Sequence, residues 1–104
     1  EWEIETTDEA VADLLKVEIL DPTLCGRFVA TVLRDITIGS SPAWMANRLT
    51  ALGMRPINSI VDISNYVMLE LGQPNHTFDL ATIPDGHLRV RRAAEGETLV
   101  TLDG

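Results

Sequence analysis

Residues 53–79, GMRPINSIVDISNYVMLELGQPNHTFD, set polar side chains among apolar ones more densely than the rest of the chain. Apolar residues recur there at helical spacing: Ile60, Ile63, Val67 and Leu71. Strict alternation fails from Asn65 onward, so the pattern predicts a buried helix over residues 58–71 rather than a strand. Gly53 precedes this helix, and the break Gly72-Gln73-Pro74 ends it.

Five polar residues of this stretch are the groups that a site would use: Arg55, Asn58, Asn65, His76 and Asp79. His76 lies between a turn and a loop, where a polar group can face a pocket. On the residues alone, a structural histidine held by Asp79 is the favoured alternative.

The other three residues also have structural alternatives. Arg55 either contacts the carbonyls of the preceding helix end or forms a fork for a carboxylate or phosphate. Asn58 is favoured as the cap of the helix over residues 58–71. Asn65 is a poor helix former, so its presence requires a partner, either structural or a ligand.

A second helix is predicted just before this stretch. Residues 39–42, GSSP, favour a helix start, with Ser41 as the cap and Pro42 at the first helical position. Three residues at i, i+4 and i+7 form its predicted core face: Met45, Leu49 and Leu52. Gly53 is predicted to end it in the left-handed conformation.

Strands are predicted at residues 16–20, 27–33 with a continuation over 35–38, 88–92 and 98–102. The last two are expected to form an antiparallel meander. The fold class that follows is mixed α+β, with a largely antiparallel sheet and two main helices. Because Asp103-Gly104 is a hairpin signal that leads into another strand, we interpret the chain as an incomplete domain.

Composition limits the classes of function. The chain has 104 residues, 45% of them apolar, which suits one modest core, and no run is apolar enough to span a membrane. Cys25 is the single cysteine, so no internal disulfide forms, and a reducing, cytoplasmic location is predicted.

The net charge of −8 is concentrated near the N-terminus, since residues 1–21 hold eight acidic residues and one lysine. Residues 1–15 are predicted to be an acidic leader or edge segment, and residues 16–104 the domain proper. The nearly neutral remainder argues against bulk binding of a phosphate backbone but leaves room for a local contact through a few arginines.

Metal and nucleotide sites are not expected. His76 and His87 are eleven residues apart and Cys25 is remote, so the ligand spacing of a zinc site is missing. The sequence has no glycine-rich loop between a predicted strand and the start of a helix. The phosphate-binding loop of a nucleotide cofactor site is therefore missing.

Several motifs together resemble a known family. GMRPIN, VDISNYVMLELGQP, HTFD and the closing VRRAAEGETLVTLDG resemble the editing region of the beta subunit of bacterial phenylalanine–tRNA ligase. CGRFVATVLRDITIGSSPAWMANRL resembles the segment just before it. The resemblance covers roughly residues 16–104 and keeps the order and spacing of the motifs.

The resemblance implies that residues 16–104 are the N-terminal part of an editing domain that hydrolyses tyrosine wrongly attached to the phenylalanine tRNA. It implies that His76 is the catalytic histidine and that Arg55, Asn58, Asn65 and Asp79 bind the substrate. The expected partners are the 3′ end of that tRNA and the alpha subunit, in an assembly of two alpha and two beta subunits. ATP and Mg²⁺ are expected for the complete enzyme and no cofactor for this chain.

Two departures from the family affect this expectation. Asn75 and Thr77 stand where the family has a large apolar and a small residue on either side of the histidine, which could narrow or repolarise the pocket. In the family, a glycine-rich loop and a glutamate that recognises the tyrosine hydroxyl lie beyond the position of Gly104. The alternative hypothesis is a non-catalytic architectural or tRNA-docking domain of the same subunit.

Overall fold

The computed structural model describes residue 3 and residues 5–101. Within them the elements follow in the order α1 (Val11–Leu14), β1 (Lys16–Ile19), α2 (Ala43–Ala51), α3 (Ser59–Leu71) and β2 (His87–Val90). Two 3-10 turns, Leu80–Thr82 and Pro84–Gly86, come before β2. Among these residues, no helix is both long and apolar enough to cross a membrane.

The chain divides into two compact units. One is the continuous segment Leu33–Asp79, which contains α2 and α3. The other joins the residues up to Val32 to those from Leu80 onward, so both flanks of the chain contribute to its sheet.

The sheet of the described residues has two strands, and they are parallel: Lys16 pairs with His87, and Ile19 with Val90. The prediction of a largely antiparallel sheet is therefore wrong. The two strands are separated by residues 20–86, which include two helices. A connection of this length permits parallel pairing, whereas an antiparallel meander uses short hairpins.

Two of the predicted strands do not form in the described residues. Residues 27–38 and 98–101 have no regular secondary structure, while Leu102 lies outside the described part of the chain. Asp35 has a φ of 55°, which turns the backbone where residues 35–38 were expected to continue a strand. β-propensity alone does not make a strand, because the ladder also needs a hydrogen-bonded neighbour.

In the sheet-containing unit, the backbone of α1 comes close to the turn before β2. A Cβ atom added to Gly86 would lie 2.6 Å from the carbonyl oxygen of Leu14, and Gly86 has a φ of 58°. Both facts favour glycine there. The first 15 residues were predicted to be an acidic leader or edge segment; of these, residues 1, 2 and 4 lie outside the described residues.

In the unit Leu33–Asp79, α2 packs against α3 and buries Met45 and Leu49, as predicted. Leu52 is 65% exposed, so its predicted place in the core is wrong. It follows the last residue of α2 and has already left the helical conformation. The cap prediction is also wrong in detail, because Pro42 is the capping residue and the Ser41 hydroxyl bonds to Asp62 instead.

The helix predicted over residues 58–71 is confirmed as α3, but its predicted buried face is wrong. Ile63, Val67 and Leu71 are exposed, whereas Asp62 and Ser64 are buried. Asn58 caps the helix, and Gly72 ends it with a φ of 72°. Helical spacing correctly predicted a helix. Which side of that helix is buried depends on which of its polar side chains form hydrogen bonds.

Candidate functional site

The five predicted site residues all fall in the unit Leu33–Asp79: Arg55, Asn58, Asn65, His76 and Asp79. Arg55 precedes α3, Asn58 caps it, Asn65 lies within it, and the last two follow it. The structure thus places all of them on α3 or on its two flanking segments. Their predicted contacts with a substrate remain predictions.

His76 lies in the loop 72–79, which leaves α3 at Gly72 and is exposed along its whole length. The imidazole packs against the ring of Phe78, with centroids 4.5 Å apart and planes at 64°. An edge-to-face contact of this kind restricts the ring's orientation, and His76 as a whole is exposed. The imidazole is therefore presented to solvent on a loop whose course is set by α3.

One side-chain bond joins α3 to this loop. The hydroxyl of Ser64 donates to the backbone carbonyl of Asn75 over 3.2 Å, and Ser64 is 5% exposed. Asn75 is the residue directly before His76. Asn65, the next residue along α3, is half-buried. The bond thus brings the segment that carries His76 against the part of α3 that carries Asn65.

Asp62 performs a similar task on the other flank of α3. It is 1% exposed, and its Oδ1 accepts a 2.9 Å hydrogen bond from the backbone N–H of Ile57. Its Oδ2 accepts a hydrogen bond from the Ser41 hydroxyl. A buried carboxylate requires such partners, because desolvation without them is costly. Asp62 therefore fixes the segment that follows Arg55.

The side chain of Asn58 has the capping role that the sequence favoured. Its Oδ1 accepts from the backbone N–H groups of Ile60 and Val61 at 3.1 and 3.0 Å. These bonds satisfy donors of the first helical turn, which have no partner within the helix. Arg55, three residues earlier, is exposed.

The sequence prediction did not single out Asp62 or Ser64 as buried residues. A signal for both was present in VDIS, where a carboxylate and a hydroxyl interrupt an apolar run. Polar residues on the buried side of a helix require specific partners. The backbone groups of Ile57 and Asn75 that supply those partners are visible only in three dimensions.

A groove of about 440 Å³ lies between α2 and α3, and its lining includes none of the five predicted site residues. It is lined by Arg48, Ala51, Leu52, Tyr66, Leu69 and Glu70. The guanidinium of Arg48 is already engaged there, since Nη1 donates to the Tyr66 hydroxyl at 2.6 Å and the group lies over the Trp44 ring.

Titratable groups with lowered pKa values lie in the sheet-containing unit instead. The Thr23 hydroxyl, followed by the Arg92 guanidinium, lowers the pKa of Asp21. Hydrogen bonds from Arg91 and from the backbone of Ala94 lower the pKa of Glu97 to about 2. Both carboxylates accept hydrogen bonds from backbone N–H groups two or three residues away and so stabilise local turns. Within the described residues, no three His, Cys, Asp or Glu side chains are grouped to hold a metal.

Comparison with known proteins gives the family. The model of the B3/4 domain family matches residues 24–104. The phenylalanine–tRNA ligase beta subunit of Porphyromonas gingivalis is 49% identical over 102 residues, which are 98% of this chain and 12% of that protein. The beta subunit of Dehalococcoides mccartyi is 50% identical over 102 residues, 98% of this chain and 13% of its own length.

A third relative shares a higher identity over a shorter length. The phenylalanine–tRNA ligase beta subunit of Symbiobacterium thermophilum is 57% identical over 94 residues, 90% of this chain and 10% of that protein. The chain thus spans between 10 and 13% of the length of these three relatives. Since the family model covers most of its residues, the chain belongs to the B3/4 domain family.

Proposed function

We propose that this chain contributes to an editing site in the beta subunit of a phenylalanine–tRNA ligase, where tyrosine is hydrolysed from the phenylalanine tRNA. The observation that carries the proposal is the presentation of His76. An imidazole is exposed on a loop that is bonded to a buried hydroxyl of α3. Three relatives named as beta subunits of this ligase, each about half identical or more, support the choice of subunit.

The proposed reaction is hydrolysis of the aminoacyl ester by water. A water oxygen bonds to the ester carbonyl carbon, and the bond from that carbon to the ribose oxygen breaks. The ribose oxygen takes one of the two protons of the water, and the other passes to solvent as tyrosine leaves as its carboxylate. His76 orients the attacking water or accepts its proton.

Selection of tyrosine requires a group that recognises its phenolic hydroxyl. An apolar pocket rejects poorly an analogue that merely adds a hydroxyl, whereas a hydrogen-bonding site can select it. In this proposal Arg55, Asn65, Asn58 and Asp79 bind the tRNA end or the aminoacyl group. Asn75 and Thr77 flank His76 and set the width and polarity of the pocket.

The partners in this proposal are the 3′ end of the phenylalanine tRNA and the alpha subunit of the ligase. ATP and Mg²⁺ serve the charging reaction of the complete enzyme, and the location is the cytoplasm. The competing proposal is a tRNA-docking module without catalysis. Every residue of the loop 72–79 is exposed. This observation favours the docking module, because an exposed loop does not enclose a substrate.

The test is His76→Ala in the complete enzyme of alpha and beta subunits. Deacylation of tyrosyl-tRNA should slow by about 10²-fold or more, the scale of a lost positioning or general-base contact. Charging with phenylalanine should continue. His87→Ala is the matched control, since His87 is the other histidine and lies in β2, in the other unit. It should edit normally per folded molecule.

Normal deacylation by folded His76→Ala enzyme would reject the catalytic assignment. If that variant bound tRNA normally and a deletion of the region weakened tRNA binding, the docking module would be the better explanation. An equal loss in the His76→Ala and His87→Ala variants would point to misfolding instead of chemistry.

A further inference from the structure

We propose that Ser64 is a positioning residue for His76 in the hydrolysis of the aminoacyl ester. This inference rests on the proposed function, because it assigns to Ser64 the task of holding the catalytic loop. It is carried by the hydrogen bond from the Ser64 hydroxyl to the Asn75 carbonyl, and by the burial of the donor in a helix with defined ends.

The bond acts on the peptide group that enters His76. The carbonyl oxygen of Asn75 and the nitrogen and Cα of His76 belong to one planar unit. The hydrogen bond holds that oxygen 3.2 Å from Ser64 Oγ. It therefore restrains the position of the His76 Cα and the direction of its Cα–Cβ bond. The Phe78 ring, at 4.5 Å between centroids, also restricts the orientation of the imidazole.

The donor is fixed more firmly than the loop that it holds. α3 has an Asn58 cap at its first turn and ends at a left-handed Gly72. Asp62, two residues before Ser64, is bonded to the Ile57 N–H and to the Ser41 hydroxyl. The loop 72–79, by contrast, is exposed at every residue. We therefore expect this bond to have a larger effect on the position of the loop than on the stability of the whole chain.

The direction of this hydroxyl is also informative. A serine inside a helix commonly bonds to a carbonyl of its own preceding turn, as the Thr50 hydroxyl does with Ala46 at 2.8 Å. Ser64 instead reaches a carbonyl eleven residues further along the chain. Thr50 thus offers a matched control: a hydroxyl-to-carbonyl bond that leaves the His76 loop untouched.

The experiment uses the complete enzyme of alpha and beta subunits with tyrosyl-tRNA, and five variants: Ser64→Ala, Ser64→Thr, His76→Ala, the double variant Ser64→Ala/His76→Ala, and Thr50→Ala. Ser64→Ala should lower the kcat of deacylation about 10-fold or more with KM nearly unchanged, because a small misplacement of a catalytic group slows the chemical step. Ser64→Thr, which keeps the hydroxyl, should restore most of the rate. Thr50→Ala should be normal.

The double variant separates positioning from folding. If Ser64 acts through His76, removing both should be no slower than removing His76 alone, since residues that act as a unit are non-additive. The NMR signals of the His76 imidazole give a readout besides activity. Their chemical shifts should change in Ser64→Ala and stay those of the unchanged enzyme in Thr50→Ala.

The outcomes distinguish the two proposals. Three results would each overturn the role of Ser64 and leave the proposed function standing: a slow His76→Ala enzyme together with a normal Ser64→Ala enzyme, additive losses in the double variant, or unchanged imidazole chemical shifts of His76 in Ser64→Ala. A normal His76→Ala enzyme would overturn the proposed function, and the positioning role would fall with it.

Discussion

Asp62 and Ser64 are about as buried as Met45 and Leu49, and each of the two polar side chains bonds to a backbone group on a neighbouring segment. Met45 and Leu49 supply the apolar part of the same interior. At the scale of single residues, the unit therefore combines a small apolar contact with polar bonds that tie loops to a helix. The two kinds of contact respond differently to substitution.

Leu49→Ala should lower the free energy of unfolding by about 2–5 kcal/mol, the range for truncating a buried leucine. Leu49 is fully buried at 0% exposure. Leu52→Ala is the control, because Leu52 has the same side chain but is 65% exposed, and its truncation should cost under about 0.5 kcal/mol. Urea unfolding of both variants tests this. Similar losses at the two positions would show that Leu52 is in the core after all.

Asn58→Ala should cost about 0.5–2 kcal/mol, the usual effect of removing a helix cap. Asn58→Asp should unfold like the unchanged chain within a few tenths of a kcal/mol, because a carboxylate accepts the same bonds and suits a helix N-terminus. Thermal unfolding measures both. If Asn58→Ala were neutral while editing by the complete enzyme failed, Asn58 would bind substrate and the cap would contribute nothing.

At the scale of elements, α2, α3 and the two strands were largely foreseeable because each has a local signal. Helical spacing, the Asn58 cap and the left-handed Gly53 and Gly72 all act within a few residues. The direction of strand pairing has no such signal, because it depends on the path of the whole connection between β1 and β2, residues 20–86. The buried sides of α3 were mispredicted for the same reason: the partners of Asp62 and Ser64 lie outside the helix.

The turn after β2 gives a pH prediction. Hydrogen bonds from Arg91 and the Ala94 backbone lower the pKa of Glu97 from 4.5 to about 2. Because folding lowers this pKa, the pair's contribution to stability should be present above about pH 4.5 and be lost as the pH falls toward 2. The carboxyl chemical shift of Glu97 should titrate near 2. A midpoint near 4.5, or an acid-unfolding curve unchanged in Glu97→Gln, would mean that the pair does not persist in solution.

At the scale of the whole molecule, large apolar side chains outside the regular elements are exposed, among them Leu24, Val29, Leu33, Ile38, Leu99 and Val100. Apolar surface of this kind is commonly covered by further protein. The relatives that match this chain are about eight to nine times as long, since the matched 94 to 102 residues are 10 to 13% of their length. We expect longer proteins of the family to cover these residues.

Leu99→Ser tests that expectation. In the 104-residue chain Leu99 is 87% exposed, so the change should alter the unfolding free energy by less than about 0.5 kcal/mol. In a full-length subunit the same change should be clearly destabilising, because it places a hydroxyl in an apolar contact. Thr101→Ser, at a neighbouring exposed position, is the control. Equal and negligible effects of Leu99→Ser in both proteins would show that the residue stays in water.

The division of the chain also affects the order in which its parts can fold during synthesis. Ribosomes deliver a protein from its N-terminus, and units fold as their residues emerge. The segment Leu33–Asp79 carries α2, α3 and the bonds between them, so it is complete before β2 has been made. β1 leaves the ribosome before this segment and stays unpaired until β2, residues His87–Val90, has emerged. The loop of His76 is thus assembled on a finished helix pair while the sheet is still open.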